Sequence, residues 1–299
     1  MTKRILYFLT PGENISPFDV TLAADAGFDM VVPLTKIEAK STAAVVQDAI
    51  FCRPPKRFND TGIFIGGRDV HMATDMFQSA KNALVEPFEV GIFADPNGAY
   101  TTSASVVALV AKVLKEHHNM DLTGRNVAVF GTGPVGICTA ILAAKQGANV
   151  KLCQLLADDD RRAAENFCRR YETDVKWVSA QTNEEKTNEV ADSEVIICAA
   201  RAGVRILEGS LKNARKLLVA ADTNAVPPSG VIGIGLHDMG VAVDYANGSF
   251  RSIGPLAIGN LKYKVQFGLF EQIQKSSKVA LIDFPEAYEF ALSLLEKQA

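Results

Sequence analysis

The chain has 299 residues, of which 48% are hydrophobic and 22% charged, and its formal net charge at pH 7 is -3. This composition excludes a mainly disordered chain, because enough apolar side chains are present to bury a sizeable core. The small negative charge argues against nucleic-acid binding, and no apolar run approaches the roughly 18 residues of a membrane span. The length favours two domains.

The cysteines and histidines indicate neither a disulfide framework nor a metal site. The five cysteines are scattered without a C-x-x-C pair, and the four histidines show no H-x-x-x-H spacing. We therefore predict no bound metal and a reducing, cytoplasmic location. The apolar start Ile5–Leu9 is interrupted by Thr10-Pro11-Gly12. It is shorter than the roughly 7–15 residues of an export signal and is interpreted as a strand.

In the first part of the chain, short β-branched or aromatic runs alternate with segments of helical period. The predicted strands are Ile5–Leu9, Met30–Leu34, Gly62–Ile65 and Val90–Ala94. The predicted helices are one that starts with Ser16 as N-cap and Pro17 in its first turn, Asp69–Leu84, and Thr101–Lys115. Such alternation is typical of β-α-β units and predicts an α/β fold with a largely parallel sheet.

A second series begins after the polar stretch Asp121–Gly124, which is interpreted as a linker. Its predicted strands are Asn126–Phe130, Val150–Cys153, Val175–Val178, Val195–Ala199 and Leu217–Ala221, with helices ending at Gly147 and covering Asp158–Arg170. A loop follows around Pro227–Gly235. Two closing helices, from Pro255 to about Gln274 and from Phe284 to Lys297, have no predicted strand partner. We expect them to pack on the first domain, so that residues 122–254 form a domain inserted between 1–121 and 255–299.

A glycine-rich turn gives the first indication of function. Gly131-Thr132-Gly133-Pro134-Val135-Gly136 is a G-x-G-x-x-G motif that follows the strand Val127–Phe130 and opens a helix. The first glycine permits a tight turn, the second lets the backbone approach a pyrophosphate, and the third allows close helix–strand packing. The helix N-terminus offers free N–H groups to the anion. All six residues are therefore predicted to bind NAD or NADP in a Rossmann domain, although an ordinary β-α turn can also be glycine-rich.

The choice between NAD and NADP stays open. An acid about 20 residues further on would bind the ribose 2′-OH of NAD, but the chain has Gln154 there. This amide can bind a ribose hydroxyl without repelling a 2′-phosphate. Arg161 and Arg162 could meet that phosphate, whereas Asp158–Asp160 would repel it. The acids are equally well explained as a solvated helix start favoured by the helix dipole.

No familiar acid/base or nucleophile motif accompanies this turn. Tyr-x-x-x-Lys, G-x-S-x-G and P-loop patterns are absent. The pair His117-His118 is expected to face solvent, and His237 lies in a glycine-rich loop that could approach a cleft. Either a catalytic acid or base is present in a part of the sequence that no known motif marks, or the reaction needs no catalytic acid or base. Hydride loss from a carbon between two nitrogens is such a reaction, because their lone pairs stabilise the cation and the enzyme supplies positioning.

Several segments together resemble the methylene-tetrahydromethanopterin dehydrogenases of methylotrophic bacteria. They are Ser16-Pro17-Phe18-Asp19-Val20, Gly62–Gly67, Phe93-Ala94-Asp95-Pro96-Asn97-Gly98 with Thr101-Thr102, Gly131–Gly136, Ala221-Asp222-Thr223-Asn224-Ala225-Val226-Pro227-Pro228 and Gly254–Lys262. The match runs from end to end, and the D-x-N-A-x-P-P and A-I-G-N-L-K stretches are more specific than the glycine-rich turn.

This resemblance implies oxidation of a methylene pterin carrier to the methenyl form with NAD(P)+, a step in formaldehyde oxidation. It also implies an N-terminal carrier-binding domain completed by the C-terminal helices, a Rossmann domain between them, and a homo-oligomer. NADP-restricted relatives carry a Gly-Arg-Lys-like stretch after the second nucleotide strand, where this chain has Gln154-Leu155-Leu156. Strict NADP dependence is therefore not expected.

Within the frame of the resemblance, Lys262, Phe18 and Asp19 are candidates for binding the carrier. Lys262 is the last residue of the A-I-G-N-L-K segment, and its cation could bind a pterin or carbonyl oxygen. Alternatively, Lys262 is an ordinary helix lysine whose amine extends into water. Asp19 could bind the donor-rich edge of the pterin, or cap its helix.

Four further candidates follow predicted strands. Thr102 and Asn97 come after the carboxyl end of a strand, which is the usual ligand side of open α/β sheets, although turn formation alone would explain Asn97-Gly98. Asp222 and Asn224 end a Rossmann strand and are predicted to lie near the nicotinamide, or to shape the loop before Pro227.

Two other classes of function fit parts of this pattern. One is a two-domain dehydrogenase with another substrate, such as shikimate or methylene-tetrahydrofolate. The other is a non-catalytic sensor that binds NAD(P) and transfers no hydride.

Overall fold

The computed structural model describes residues 2–297 and divides into two compact units. The first unit contains the described residues up to Thr101 together with Tyr263–Leu294, and the second contains Thr102–Lys262 with the described residues after Leu294. The chain passes between the units within three helices, α4 (Ala99–His118), α8 (Pro255–Lys275) and the end of α9 (Phe284–Glu296).

The first unit is built on a five-stranded parallel sheet. Its strands are β1 (Ile5–Leu9), β2 (Met30–Leu34), β3 (Thr61–Ile65), β4 (Gly91–Ala94) and β12 (Leu281–Ile282), in the spatial order β12-β4-β3-β1-β2. Its other helices are α1 (Pro17–Asp25), α2 (Ala39–Phe51), α3 (Val70–Asn82) and α9 (Phe284–Glu296). Every strand pair in this sheet is parallel. The predicted α/β class with parallel sheets is therefore confirmed.

The start of α1 follows from local sequence. Ser16 is the N-cap, and its hydroxyl oxygen accepts a hydrogen bond from the Asp19 backbone N–H at 3.3 Å. Pro17 occupies the first turn, where its missing N–H costs nothing. This capping places Phe18 and Asp19 directly after the loop that leaves β1.

Aromatic rings form the centre of the first unit. Phe64 on β3 contacts Phe8 at a centroid distance of 4.8 Å and Phe93 at 5.2 Å, and Phe270 on α8 packs against Phe64 at 5.1 Å. All four rings are fully buried. The closing segment therefore contributes to this core. The expectation that it has no strand partner is wrong, because β12 pairs in parallel with β4; a two-residue strand carries too little periodicity to be recognised.

The second unit contains a seven-stranded sheet. Its strands are β5 (Asn126–Phe130), β6 (Asn149–Gln154), β7 (Lys176–Ser179), β8 (Val195–Cys198), β9 (Val219–Asp222), β10 (Met239–Tyr245) and β11 (Gly248–Ile253), and its further helices are α5 (Pro134–Lys145), α6 (Arg161–Arg170) and α7 (Asn183–Ala191). The strand order is β10-β11-β9-β8-β5-β6-β7. Without β10 this is the doubly wound 3-2-1-4-5-6 order, whose switch point lies between β5 and β8.

Five elements of the structure depart from the predicted ones. Helix α6 starts at Arg161, three residues later than predicted, because the Asp160 carboxylate caps it by accepting from the Ala163 N–H at 2.9 Å. The hairpin β10–β11 was not predicted; β10 contains Gly240 and a register shift between Met239 and Val241, which weakens its alternation. Helices α2 and α7 were also not predicted.

The helices of residues 2–297 include no segment that combines the length and the apolar character needed to cross a membrane.

Candidate functional site

The turn between β5 and α5 has the backbone geometry of an anion cradle. Gly131 has φ +116°, and a Cβ atom there would lie 2.5 Å from the Ala199 carbonyl oxygen. A Cβ atom on Gly136 would overlap the Gly131 carbonyl oxygen. At Gly133, by contrast, a Cβ atom would meet no protein atom within 4 Å. The first and third glycines are therefore required by the fold, whereas Gly133 leaves open space in front of the backbone, which fits a pyrophosphate.

The N-terminus of α5 opens onto this space. Gly133 is its N-cap and provides no side-chain cap, and Pro134 fills the first turn. Gly133 and Pro134 are exposed, and Thr132 and Val135 are half-buried. The free N–H groups of this helix end and the helix dipole both favour an anion.

Two contacts anchor the turn to the rest of its unit. The Gly131 N–H donates to the Cys153 carbonyl on β6 at 3.1 Å. The hydroxyl of Ser103, a fully buried residue on α4, donates to the Val135 carbonyl at 3.1 Å. Ser103 was not predicted, because it is an ordinary helix residue in the sequence and its partner is 32 residues away.

Gln154 ends β6, beside this turn. Its Oε1 accepts from Trp177 Nε1 at 3.2 Å, and its Nε2 donates to the Leu156 carbonyl at 2.7 Å. Arg161 is at the start of α6 and pairs with Glu165 at 2.6 Å, with 63% of its side chain exposed. The turn and Gln154 therefore lie next to each other, whereas Arg161 is paired on the surface of its own helix.

Asp222 and Asn224 order the loop that follows β9. The fully buried Asp222 carboxylate accepts from the N–H groups of Asn224 at 3.0 Å, Gly230 at 2.6 Å and Val231 at 3.3 Å. Desolvation raises the pKa of this carboxyl above its ordinary value of 3.8 and outweighs these hydrogen bonds, which lower it.

The Asn224 amide joins two loops at the same edge of the sheet. Its Oδ1 accepts from the N–H groups of Gly203 at 3.1 Å and Val226 at 2.9 Å, and its Nδ2 donates to the Pro228 carbonyl at 2.8 Å. The polar groups of Asp222 and Asn224 thus hold backbone atoms, as the loop-shaping alternative describes.

In the first unit, the predicted residues lie at the carboxyl ends of parallel strands. Asp19 is 4% exposed and accepts from Nε2 of Gln266 at 2.7 Å, while its neighbour Phe18 is 48% exposed. Asn97 follows β4, is exposed and has φ +53°. Together these residues present an exposed ring, an exposed amide and a buried carboxylate on the side of the sheet where ligands usually bind.

Thr102 and Lys262 belong to the second unit, at the points where α4 and α8 leave it. Both are half-buried. Among the histidines, His117 and His237 are exposed and His118 is half-buried, with a pKa lowered mainly by desolvation. In the described residues no group of three or more His, Cys, Asp or Glu side chains is arranged to hold a metal ion.

Asp95 is a buried acid that was not singled out in the sequence. Its carboxylate accepts from the N–H groups of Tyr100 and Thr101 and, at 2.6 Å, from the Thr101 hydroxyl. It thereby holds the first turn of α4, directly after the Asn97 loop. An acid just before a helix start is a recognisable capping signal.

The doubly wound sheet, with an open glycine turn at its switch point, defines the second unit as a dinucleotide-binding domain of the dehydrogenase type. Comparisons with known proteins agree. The chain is 38% identical, over 98% of its length and 99% of the relative's, to the NAD(P)-dependent methylenetetrahydromethanopterin dehydrogenase of Methylorubrum extorquens. It is 31% identical to the bifunctional protein MdtA of the same organism, over 97% of this chain and 99% of that protein.

Residues 17–97 match the family model described as methylene-tetrahydromethanopterin dehydrogenase, N-terminal. A crystal structure of shikimate 5-dehydrogenase from Listeria monocytogenes, in complex with shikimate and NAD, superposes with a TM-score of 0.52 over 98% of this chain and 96% of that one. At 14% identity this likeness shows the fold alone. The chain belongs to the methylene-tetrahydromethanopterin dehydrogenase family, and the resemblance found in the sequence is confirmed.

Proposed function

We propose that this protein oxidises 5,10-methylene-tetrahydromethanopterin to the 5,10-methenyl form with NAD+ or NADP+, in formaldehyde oxidation. The observation that carries the proposal is the end-to-end similarity to a relative named for this substrate and cofactor. The open backbone at Gly133 supports it, because the space in front of that residue fits a nucleotide pyrophosphate.

The nucleotide would be held by the second unit. The backbone of Gly131–Gly136 and the N-terminus of α5 would bind the pyrophosphate, and Gln154 would contact the ribose. Asp222 and Asn224 would act on the nicotinamide side by holding the loop after β9 through the hydrogen bonds described above. When bound, the nicotinamide supplies the hydride acceptor.

The carrier would be held by residues that do not take part in proton transfer. The first unit, extended along α4 and α8 so that it comprises residues 1–121 and 255–299, would bind it, and residues 122–254 of the second unit would bind the nucleotide. Phe18 would offer a ring face to the pterin, and Asp19 would accept hydrogen bonds from its donor-rich edge.

Polar groups would fix the carrier's position. Asn97 and Thr102 would hydrogen-bond the carrier, and Lys262 would hold a carbonyl oxygen with its cation. Lys262 should not face the reacting carbon, because its charge would oppose the cationic product. No side chain has to act as a base. The C–H bond that breaks leaves its electron pair with the departing hydride, and the two neighbouring nitrogens stabilise the cation.

We also propose a homo-oligomer in the cytoplasm. The edge strand β10 supports self-association, because its residues Met239 and Val241 are exposed and Asp244 is the only charged residue in its sequence, so that little charge opposes pairing. The free cysteines are consistent with a reducing compartment. Light scattering of the intact protein and of Val241→Lys tests the interface; a smaller particle is expected for the variant, and an unchanged mass would exclude β10.

The test of the proposed activity is an absorbance assay for reduced nicotinamide. The purified protein is offered methylene-tetrahydromethanopterin, methylene-tetrahydrofolate or shikimate, each with NAD+ and with NADP+. We expect the highest kcat/KM with the methanopterin carrier. Higher activity with methylene-tetrahydrofolate or shikimate would show that the proposed substrate is wrong. Nucleotide binding without turnover of any substrate would favour a non-catalytic NAD(P)-binding sensor.

A further inference from the structure

In a Rossmann domain, the side chain at the carboxyl end of the second strand, here β6, contacts the 2′ position of the adenosine ribose. Here that position is Gln154. Strands β5 and β6 are paired in parallel with Phe130 opposite Cys153, and the Gly131 N–H donates to the Cys153 carbonyl. The residue next to Gln154 is therefore bonded directly to the nucleotide turn.

The Gln154 amide is held in one orientation by two partners. Trp177 Nε1 is purely a donor, so the amide oxygen must face it, at 3.2 Å. The Leu156 carbonyl is purely an acceptor, so the amide nitrogen must face it, at 2.7 Å. Trp177 reaches Gln154 because β7 pairs with β6 in parallel and places Trp177 opposite Leu152, two residues before Gln154 on the same face.

This arrangement leaves one N–H of the half-buried Gln154 amide for a ligand. An amide nitrogen has two N–H donors, and the contact with Leu156 uses one. Two of the three neighbouring acids have local partners, since Asp159 accepts from the Leu156 N–H at 3.4 Å and Asp160 caps α6, whereas Asp158 is exposed. Arg161 is paired with Glu165. The end of β6 therefore presents a neutral donor in place of the usual carboxylate.

We infer that Trp177 is a positioning residue that holds Gln154 as a neutral donor toward the 2′ position of the nucleotide, and that this pair lets the site accept both NAD and NADP. The inference rests on the proposed function, since it requires NAD(P) binding. A donor N–H can bond to the oxygen of a 2′-hydroxyl or of a 2′-phosphate, and a neutral group repels neither. A carboxylate at this position would accept a hydrogen bond from the 2′-hydroxyl of NAD and would repel the 2′-phosphate of NADP.

The pair also provides a spectroscopic signal. Trp177 is the single tryptophan of the chain, and its indole N–H is bonded to the group proposed to meet the ribose. Binding of either nucleotide should change its emission. The adenosine fragments 5′-AMP and 2′,5′-ADP, which carry no nicotinamide, should produce the same change, because the signal arises at the ribose end.

The decisive experiment measures calorimetric dissociation constants of NAD+ and NADP+ for a set of variants. In the unaltered protein the two constants should lie within about tenfold of each other, a difference of one neutral hydrogen bond. Gln154→Glu should weaken NADP+ at least about 100-fold by charge repulsion and spare NAD+. The matched control, Gln272→Glu, adds the same charge at an exposed position of α8 in the first unit and should change neither constant.

A double-mutant cycle separates positioning from simple packing. Trp177→Phe should weaken both nucleotides about 3- to 10-fold when Gln154 is present, and less than about twofold in a Gln154→Leu background. Thermal unfolding of each variant checks that it is folded, and Gln154→Leu keeps the tryptophan as a reporter.

The possible failures are distinguishable. An equal effect of Trp177→Phe in both backgrounds, or unchanged NADP+ affinity in Gln154→Glu, would overturn the inference and leave the proposed function intact. If the unaltered protein binds neither nucleotide, the proposed function fails and the inference fails with it.

Discussion

Gln266 on α8 donates a hydrogen bond from its Nε2 to the Asp19 carboxylate at 2.7 Å, and both residues are almost completely buried. The two residues are 247 positions apart in the sequence. The bond therefore ties the C-terminal segment of the first unit to the helix start that carries two of the candidate carrier-binding residues.

Replacing Gln266 by Leu should destabilise the protein. The change removes a hydrogen bond from a buried carboxyl group, and such bonds contribute about 1.5–3 kcal/mol when one partner is charged. Urea unfolding gives the free energy directly. Gln272→Leu is the matched control, because it alters an exposed glutamine on the same helix and should change stability by no more than about 0.5 kcal/mol. Equal losses in the two variants would show that the Asp19 contact contributes nothing.

Gly133→Val should abolish or greatly weaken nucleotide binding while leaving the fold intact. The new side chain would enter space that no protein atom occupies, and Gly133 has an ordinary φ of -71°, so the protein has no reason to unfold. Gly136→Ala should instead lower the melting temperature, because its methyl group would overlap the Gly131 carbonyl. Calorimetric titration with NAD+ and thermal unfolding are measured on both. Normal NAD+ affinity in Gly133→Val would remove the cofactor assignment.

Lys262→Met should lose about 10²–10³ in kcat/KM for the methylene carrier, the usual effect of removing a hydrogen bond that stabilises the transition state. Nucleotide affinity should stay near that of the unaltered protein. Lys264→Met, an exposed position two residues further along α8, serves as the control and should keep full activity. Steady-state kinetics across pH add a second criterion: a titrating limb that disappears in Lys262→Met would mean that the lysine acts as a base.

The stability contributed by Asp222 should decrease as pH rises. Burial raises the pKa of this carboxyl above 3.8, so the folded state binds its proton more tightly than the unfolded state does. The contribution is complete below the unfolded value and is lost as pH passes through the raised folded value. Each unit of elevation corresponds to about 1.4 kcal/mol.

Comparison with Asp222→Asn isolates this effect. The difference in unfolding free energy, unaltered protein minus variant, should fall as pH rises above the ordinary carboxyl value of 3.8 in urea titrations. A difference that is constant or rises with pH would contradict the raised pKa.

A single thiol should react quickly with an aromatic disulfide reagent in the native protein. Cys52 is exposed, whereas the other four cysteines are buried. Burial raises the pKa of Cys198 to about 12 and that of Cys168 to about 11, so neither forms the reactive thiolate at neutral pH. Cys52→Ser should remove the fast phase, and denaturant should expose the remaining thiols. A fast phase that persists in this variant would mean that a buried cysteine becomes accessible.

Features that depend on neighbouring residues are predictable from the amino-acid sequence alone. The nucleotide turn is specified by a strand, a G-x-G-x-x-G motif and a helix in direct succession. Glycine can adopt the backbone conformations that this turn requires at the three glycine positions. The N-cap at Ser16 and the alternation of strands with helices are local in the same sense, and family membership followed from motifs that are contiguous in the chain.

Contacts between groups that are distant in the chain depend on the tertiary fold. The position of Gln154 after the second nucleotide strand predicts a ribose contact, but its partner Trp177, 23 residues away, follows from the register of β6 and β7. The Asp19–Gln266 bond, the pairing of β12 with β4 and the hairpin β10–β11 depend likewise on how the folded chain closes. Hydrogen-bonding groups are chemically alike, so a sequence offers each of them many possible distant partners, and packing of the core selects one.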